Sequence, residues 1–408
     1  MKASKYNLGY EYGEFYIILN TYSKNIIRFP ASQQNRINEI LKSKNTISDA
    51  KIKSVLLEKG FLIPDDFDEL GSLAKECENL VNSKVLYLTI LPTYTCNLAC
   101  TYCFQHHIEG AIISDRTVNQ LILAIKRKIK GYNALYIEWF GGEPLLAKEK
   151  VIFMNHKLKE ICNNAKIPYV ARMTTNGYYL DLDTFRQLFD NNCFVYYISL
   201  DGGKKLHDKQ RPCKNGKSSY DMIMNNLIEI KNNISSKNFR IEIRVNCSKA
   251  FSDIDEFMKN YQKSFGDDKR FSLILDTINN WSDRTEQMDK DGLLLGHSDL
   301  GKIGKIAQSY NVKLATSENY TLATQICQAA KKNAYSIFYD GTIHKCQMAL
   351  ESEEFRKKDI IGEITDDGIF YVNEEKEKAW VDDSIPKGCE NCKLLPICFG
   401  KKCVFQTR

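Results

Sequence analysis

Between residues 85 and 276 short apolar segments alternate with longer amphipathic ones, and this alternation limits the fold more than any other feature of the chain. The apolar segments are 85–91, 134–140, 169–174, 194–200, 240–246 and 271–276. Between them lie 115–130, 149–164, 182–191, 220–233 and 254–264, which read as helices. Several strands carry apolar residues on both faces, as expected of a parallel sheet covered by helices. Six such units predict an α/β fold, a partial (β/α)6 TIM-like barrel. An open doubly wound sheet is the alternative, and periodicity does not separate the two.

The flanks read differently. In residues 1–84, segments 12–19 and 25–29 read as strands around a turn at 20–24. Segments 32–42 and 48–58 read as helices opening at Ser32 and Ser48, and 60–64 as a short extended piece after Gly60. Two strands and two helices in that order predict a small winged-helix-like module, with an N-terminal cap on the main domain as the plainer reading. Residues 85–300 form the predicted barrel domain, with one more helix at 300–310. Residues 301–408 are loop-rich and hold six cysteines, the texture of a domain organised around metal.

Cysteine usage narrows the chemistry. The chain has 14 cysteines in 408 residues, too many for core filler and too clustered for a small secreted scaffold. Its first residues, MKASKYNLGYEYGEFY, lack the apolar stretch of a secretory signal, and no segment is apolar for long enough to span a membrane. These observations predict a cytoplasmic protein with no membrane partner, whose cysteines bind metal or do redox chemistry. The net charge of +6 is mild for this length and does not by itself call for nucleic acid. Cys77, Cys162, Cys193, Cys213 and Cys247 stand singly and read as buried thiols.

The strongest chemical signal is Cys96-Asn-Leu-Ala-Cys100-Thr-Tyr-Cys103, directly after the first barrel strand. Three thiolates within eight residues can face one cluster, and thiolates suit both iron–sulfur clusters and zinc. A four-iron cluster held by three cysteines leaves one iron open, which a catalytic cluster needs. A zinc knuckle with a remote fourth ligand is the alternative. Position at the C-terminal end of a barrel strand favours catalysis.

The C-x3-C-x2-C spacing with Tyr102 before the last cysteine resembles the signature of the radical S-adenosylmethionine (SAM) enzymes. Further segments in the same order strengthen the resemblance. Gly141-Gly142-Glu143-Pro144 is similar to the segment whose backbone meets the cofactor's amino group in that family. Glycine there leaves the backbone open to a ligand. Thr174-Thr175-Asn176-Gly177 and Ser199-Leu200-Asp201-Gly202 resemble segments on the rim around the cofactor. The resemblance implies that Ser199, then Asp201, hydrogen-bonds the ribose, with Thr175 and Asn176 nearby. Arg244 on the fifth strand is a candidate partner for the methionine carboxylate, with a surface arginine on an edge strand as the alternative. His207-Asp208-Lys209-Gln210-Arg211-Pro212 matches a recurrent loop of the peptide-modifying branch, in a substrate-side or structural role.

The tail, with Cys327, Cys346 and Cys389-x2-Cys392-x5-Cys398-x4-Cys403, resembles the SPASM extension. That resemblance implies one or two auxiliary [4Fe–4S] clusters, Cys327, Cys346 and Cys403 on the first and Cys389, Cys392 and Cys398 on the second. The last interval is one residue longer than the family's, and neither set reaches four thiolates.

Taken together, the resemblance implies a radical SAM peptide maturase with a catalytic [4Fe–4S] cluster on Cys96, Cys100 and Cys103. An external donor such as flavodoxin or ferredoxin supplies an electron, SAM is cleaved, and a 5′-deoxyadenosyl radical removes hydrogen from a ribosomally made precursor peptide. The expected product is a thioether cross-link, or else a carbon–carbon or ether bond. The first 84 residues then recognise the leader of that peptide by strand addition. Two rivals stand beside this reading: an anaerobic sulfatase-maturating type that oxidises a serine or cysteine, and a zinc-stabilised winged-helix regulator that binds DNA. The second rests on the N-terminal module, the charge and the run Lys126-Arg127-Lys128.

Overall fold

The computed structural model describes residues 1–42, 50–280, 282–315 and 326–400. The chain divides into two compact units, Met1–Ser83 with Glu318–Lys332 and Ala379–Arg408, and Lys84–Ser317 with Asn333–Lys378.

The first unit begins with β1 (Lys2–Ala3), β2 (Asn7–Tyr12), β3 (Phe15–Asn20), β4 (Asn25–Pro30), helices α1 (Gln34–Lys42) and α2 (Ala50–Glu58), β5 (Leu62–Ile63) and α3 (Glu69–Val81). Strands β2, β3 and β4 form an antiparallel sheet in that order, and β1 pairs with β5. The predicted strand 12–19 crosses a hairpin. Tyr12 pairs with Phe15, leaving Gly13-Glu14 as a two-residue turn with Gly13 at φ +57°. Aromatic and branched residues keep a period of two on both sides of the turn, so nothing but Gly13 marks it. The predicted turn at 20–24 and the extended piece at 60–64 are present, and Ser48 lies outside the described residues. Tyr16 and Ile18 on β3 bury against Ile37 and Ile40 of α1, Leu56 of α2 and Phe61. A second core joins Tyr6, Leu73, Cys77 and Val81 to Leu395 and Phe399 of the tail.

The second unit holds β6 (Val85–Leu91), α4 (Asp115–Lys128), β7 (Ala134–Trp139), α5 (Lys148–Ala165), β8 (Tyr169–Thr175), α6 (Leu182–Asp190), β9 (Cys193–Ser199), α7 (Lys204–Gln210), α8 (Ser219–Asn233), β10 (Arg240–Cys247), α9 (Ile254–Phe265), β11 (Phe271–Thr277), α10 (Asp283–Lys290) and α11 (His297–Ser309). It continues with β12 (Ala334–Phe338), β13 (Thr342–His344), β14 (Gly362–Ile364) and β15 (Phe370–Val372). All six predicted barrel strands are present. They lie side by side and parallel in chain order, β6 to β11. A doubly wound sheet reverses its strand order at a switch point. This one does not, so it is wound as a barrel. Strand β12 adds parallel to β6, and β13 to β15 extend that edge antiparallel. Among the described residues β11 pairs with β10 alone of the named strands, so the barrel is partial. The strands β12 to β15 lie where loops are predicted; each is five residues or fewer.

The sheet is not apolar on both faces. Leu88, Ile137, Met173, Ile198 and Ile243 are buried on one face. The alternate positions carry Tyr87, Glu138, Arg172, Tyr197 and Arg244, which face the barrel lumen. Arg172 pairs with Glu138 at 2.7 Å, and its guanidinium lies 5.5 to 5.8 Å from the ring centres of Tyr87, Tyr136 and Tyr197.

The basic run in α4 is used inside this unit. Arg127 Nη1 donates to the carbonyls of Asp367 and Gly368, at 2.6 and 2.9 Å. Lys128 Nζ lies 4.5 Å from the ring centre of Phe370. These contacts give the run a structural role that needs no nucleic acid.

Candidate active site

The cysteine loop leaves β6 at Pro92 and is pinned on both sides. On one side the Tyr94 N–H donates to Ala111 O and the Ile113 N–H to Pro92 O. On the other, residues 97–101 run antiparallel to 210–214: Ala99 N–H donates to Pro212 O, Thr101 N–H to Gln210 O and Lys214 N–H to Asn97 O, each at 2.9 Å. The loop therefore has little freedom to move its three thiols apart. Cys96, Cys100 and Cys103 line one cavity of about 270 Å³ at the C-terminal ends of the strands. Cys213, which the sequence sets apart as a solitary thiol, packs with Cys96 and Leu98.

Ten of the thirteen residues predicted around the catalytic cluster and its cofactor reach this cavity: the three cysteines, Tyr102, Gly141, Gly142, Thr175, Asn176, Ser199 and Arg244. Glu143, Pro144 and Asp201 do not line it; they are buried beside it. Glu143 accepts hydrogen bonds from Thr175 Oγ1 (2.6 Å), the Asn176 N–H (2.7 Å) and the Leu145 N–H (3.0 Å). Its carboxylate thus ties the loop after β7 to the loop after β8. Burial raises its pKa, and those same bonds oppose the rise.

Both predicted glycines line the cavity, and each also packs closely against the cysteine loop. A Cβ on Gly142 would sit 2.3 Å from Thr95 O, and one on Gly141 would sit 2.5 Å from Thr93 O. Gly141 also has φ +123°. The Gly142 and Glu143 amides donate to Thr93 O and Thr95 O. Glycine is required because the loop after β7 lies against the cysteine loop, backbone on backbone.

Asp201 is committed as well. It accepts from the Tyr102 hydroxyl, from the Asn246 N–H at 2.9 Å and from Asn246 Nδ2 at 3.1 Å. The Tyr102 hydroxyl in turn accepts from Arg211 Nη1 at 2.7 Å and Asn246 Nδ2 at 3.0 Å. Arg244 is not on an edge strand, because β10 lies between β9 and β11. Its Nη2 stands 3.7 Å from Asp276 on the cavity wall, and its Nε has no partner among the described residues.

Arg211 of the recurrent loop also lines the cavity, as do Asn246, Asp276 and His107, which sequence reasoning did not single out. His107 Nε2 lies 3.4 Å from Cys103 Sγ, and burial lowers the His107 pKa to about 4. The recurrent loop after β9 proves to be a set of braces. His207 Nδ1 accepts from the Asp201 N–H, and Asp208 accepts from Ser218 Oγ, Ser219 Oγ and the Tyr220 N–H. A spacing pattern cannot show such contacts, since each partner comes from another element.

The donor set fits an iron–sulfur cluster: three soft thiols from one pinned loop, facing one cavity. Burial pushes the free Cys96 thiol up to about 12 and Cys100 to about 11, so iron binding must release their protons. Among the described residues no three His, Cys, Asp or Glu converge as one metal ion would require.

In the tail, Cys327, Cys389, Cys392 and Cys398 belong to the first unit and Cys346 to the second, and Cys403 lies outside the described residues. Cys389 and Cys392 share one turn, closed by the Cys392 N–H on Cys389 O. Gly400, at φ +69°, passes so close that a Cβ there would sit 2.9 Å from Cys389 Sγ.

Six parallel strands in chain order with a three-cysteine loop after the first define a radical SAM domain, and residues 90–243 match the Radical SAM superfamily. The chain is an enzyme that carries a Radical SAM domain, and that superfamily works with a [4Fe–4S] cluster and SAM. It is 26% identical over 339 residues to the cysteine-type anaerobic sulfatase-maturating enzyme of Clostridium novyi (strain NT), across 77% of this chain and 87% of the relative. Among solved structures it is similar to anSMEcpe with bound AdoMet and a Kp18Cys peptide, with TM-score 0.55 and 18% identity, across 78% of this chain and 88% of that one. It is also similar to Streptococcus suis SuiB bound to the precursor peptide SuiA, with TM-score 0.50 and 16% identity, across 100% of this chain and 96% of that one. At these identities the structural likenesses establish the fold.

Proposed function

We propose that this enzyme modifies a ribosomally synthesised precursor peptide. The observation that carries the proposal is the small sheet of the first unit. It has its own hydrophobic core, and among the described residues its outer strands β2 and β4 each pair only with β3. An open edge of this kind can take a leader peptide as a further strand, with backbone hydrogen bonds supplying affinity. In support, the likeness to SuiB runs over the whole chain, whereas that to the sulfatase-maturating enzymes covers 77 to 78% of it. Residues 1–84 act as the leader-recognition module, 85–300 as the catalytic domain and 301–408 as an auxiliary-cluster domain.

In this reading Cys96, Cys100 and Cys103 hold the catalytic cluster. Ser199, Thr175 and Arg244 meet SAM, Arg244 as a fork for its carboxylate. Glu143 and Asp201 shape the cavity without touching ligand. When bound, the cluster and SAM supply a 5′-deoxyadenosyl radical that removes a hydrogen atom from the peptide. The product is a thioether from a peptide cysteine, with a carbon–carbon or ether bond as second choice. Auxiliary clusters on the tail cysteines bind substrate or accept the leftover electron. A flavodoxin or ferredoxin delivers electrons in the cytoplasm; no helix among the described residues is long and apolar enough to cross a membrane.

The curated relative favours a second reading, oxidation of a cysteine in a sulfatase. Anaerobic assays with a leader-bearing, cysteine-containing peptide and with a sulfatase segment, read by mass spectrometry, separate the two. A two-hydrogen loss from the leader-bearing peptide alone supports cross-linking. Aldehyde formation on the sulfatase segment alone overturns it.

A further inference from the structure

Arg211, named in the sequence only as part of the recurrent loop after β9, is a buried cation beside the cysteine loop. It is 7% exposed and lines the same cavity as Cys96, Cys100 and Cys103. Its position is fixed from both ends. The backbone around it is laddered to residues 97–101, and its carbonyl accepts from Ser219 Oγ at 2.7 Å. Its Nη1 donates to the Tyr102 hydroxyl, which is itself held by Asp201 and Asn246. The Nε–H is buried and has no partner among the described residues. Its guanidinium interacts electrostatically with Cys100, Tyr102 and Asp201, and also with Cys103, Glu143 and His207.

A site of three thiolates around an iron–sulfur core is anionic, and reduction adds one more negative charge. A cation held in a water-poor wall acts on that charge far more strongly than one in solvent. Net charge and hydrogen bonds to sulfur are among the levers that set cluster potentials. We propose that Arg211 is a positioning residue that raises the reduction potential of the catalytic cluster, by holding a buried positive charge and one uncommitted N–H at the wall of the three-cysteine cavity. The proposal rests on the radical SAM site and not on the identity of the peptide, so failure of the peptide assignment leaves it standing.

The test is an anaerobic redox titration of full-length holoenzyme without peptide, followed by electron paramagnetic resonance, with iron and sulfide content measured alongside. Arg211→Met should lower the reduced-to-oxidised ratio at fixed potential at least tenfold, a shift of 59 mV for a one-electron couple. Arg211→Lys, which keeps the charge, should stay within threefold of the parent. An Arg211→Met protein with full iron and an unchanged midpoint overturns the proposal, and so does a lysine variant that shifts as far as methionine. Should Arg211→Met lose iron, Arg211→Gln takes its place under the same criteria. Iron lost from both neutral variants and kept by lysine supports the charge; iron lost from all three overturns it in favour of a purely steric clamp.

Discussion

Cys96, Cys100 and Cys103 are the residues whose chemistry was plainest in the sequence, because a local spacing determines which thiols can share a cluster. Cys96→Ala should remove one iron ligand and abolish SAM cleavage, read as 5′-deoxyadenosine formed and iron retained. Cleavage that persists at the parent rate would refute the cluster assignment. Glu143 was legible as a motif residue but not in its role. It does not line the cavity, and it takes three hydrogen bonds from two loops. Glu143→Ala leaves those donors unpaired in the interior and should cost about 2–4 kcal/mol in urea unfolding. A cost near zero would mean that water enters and replaces the carboxylate. Asp201 and Tyr102, which the resemblance places at the cofactor, also bond each other, Asn246 and Arg211. Such pairings join residues about a hundred positions apart, and no single-sequence pattern encodes them.

At the scale of elements, all six barrel strands were legible because each is a run of branched and aromatic residues bounded by polar turns. Their order was less so, since periodicity leaves a barrel and a doubly wound sheet both open and only the folded sheet separates them. The hairpin at Gly13 and the short strands β12 to β15 escaped for a related reason: two-residue turns and strands of three to five residues interrupt no periodicity. The glycines at 141 and 142 tie this scale to the site. Gly142→Ala puts a Cβ against Thr95 O, a backbone atom that can move only with the cysteine loop. It should weaken SAM binding at least tenfold in equilibrium dialysis and lower the unfolding temperature, and unchanged binding would show that the two loops are not mechanically joined. Gly301 offers the contrast. It lies inside α11, exposed, with nothing within 4 Å of its Cβ position. Gly301→Ala should stabilise the protein by roughly 0.5–1 kcal/mol with SAM affinity unchanged.

At the scale of the whole molecule, reading along the chain divides it into consecutive stretches, while contacts divide it otherwise. Tyr6 and the apolar face of α3, with Leu73, Cys77 and Val81, are buried together with Leu395 and Phe399 near the other end of the sequence. Hydrophobic patterning shows that each stretch has an apolar face but not which stretch covers it, so this shared core had no signature. The consequence can be measured. Leu73→Ala removes buried methyl groups from that core and should cost about 2–5 kcal/mol within it. Local opening follows the cooperative unit rather than the sequence neighbourhood. Limited proteolysis of the full-length variant, read by mass spectrometry, should therefore show faster cleavage in both 1–83 and 379–400, with cleavage in 84–315 unchanged. Acceleration confined to the first 83 residues would mean that the tail is held by something other than this core. A tail that opens with the N-terminal module would instead link leader recognition and the tail cysteines through a single stability, so that a leader peptide bound to the module would also protect residues 379–400 from protease.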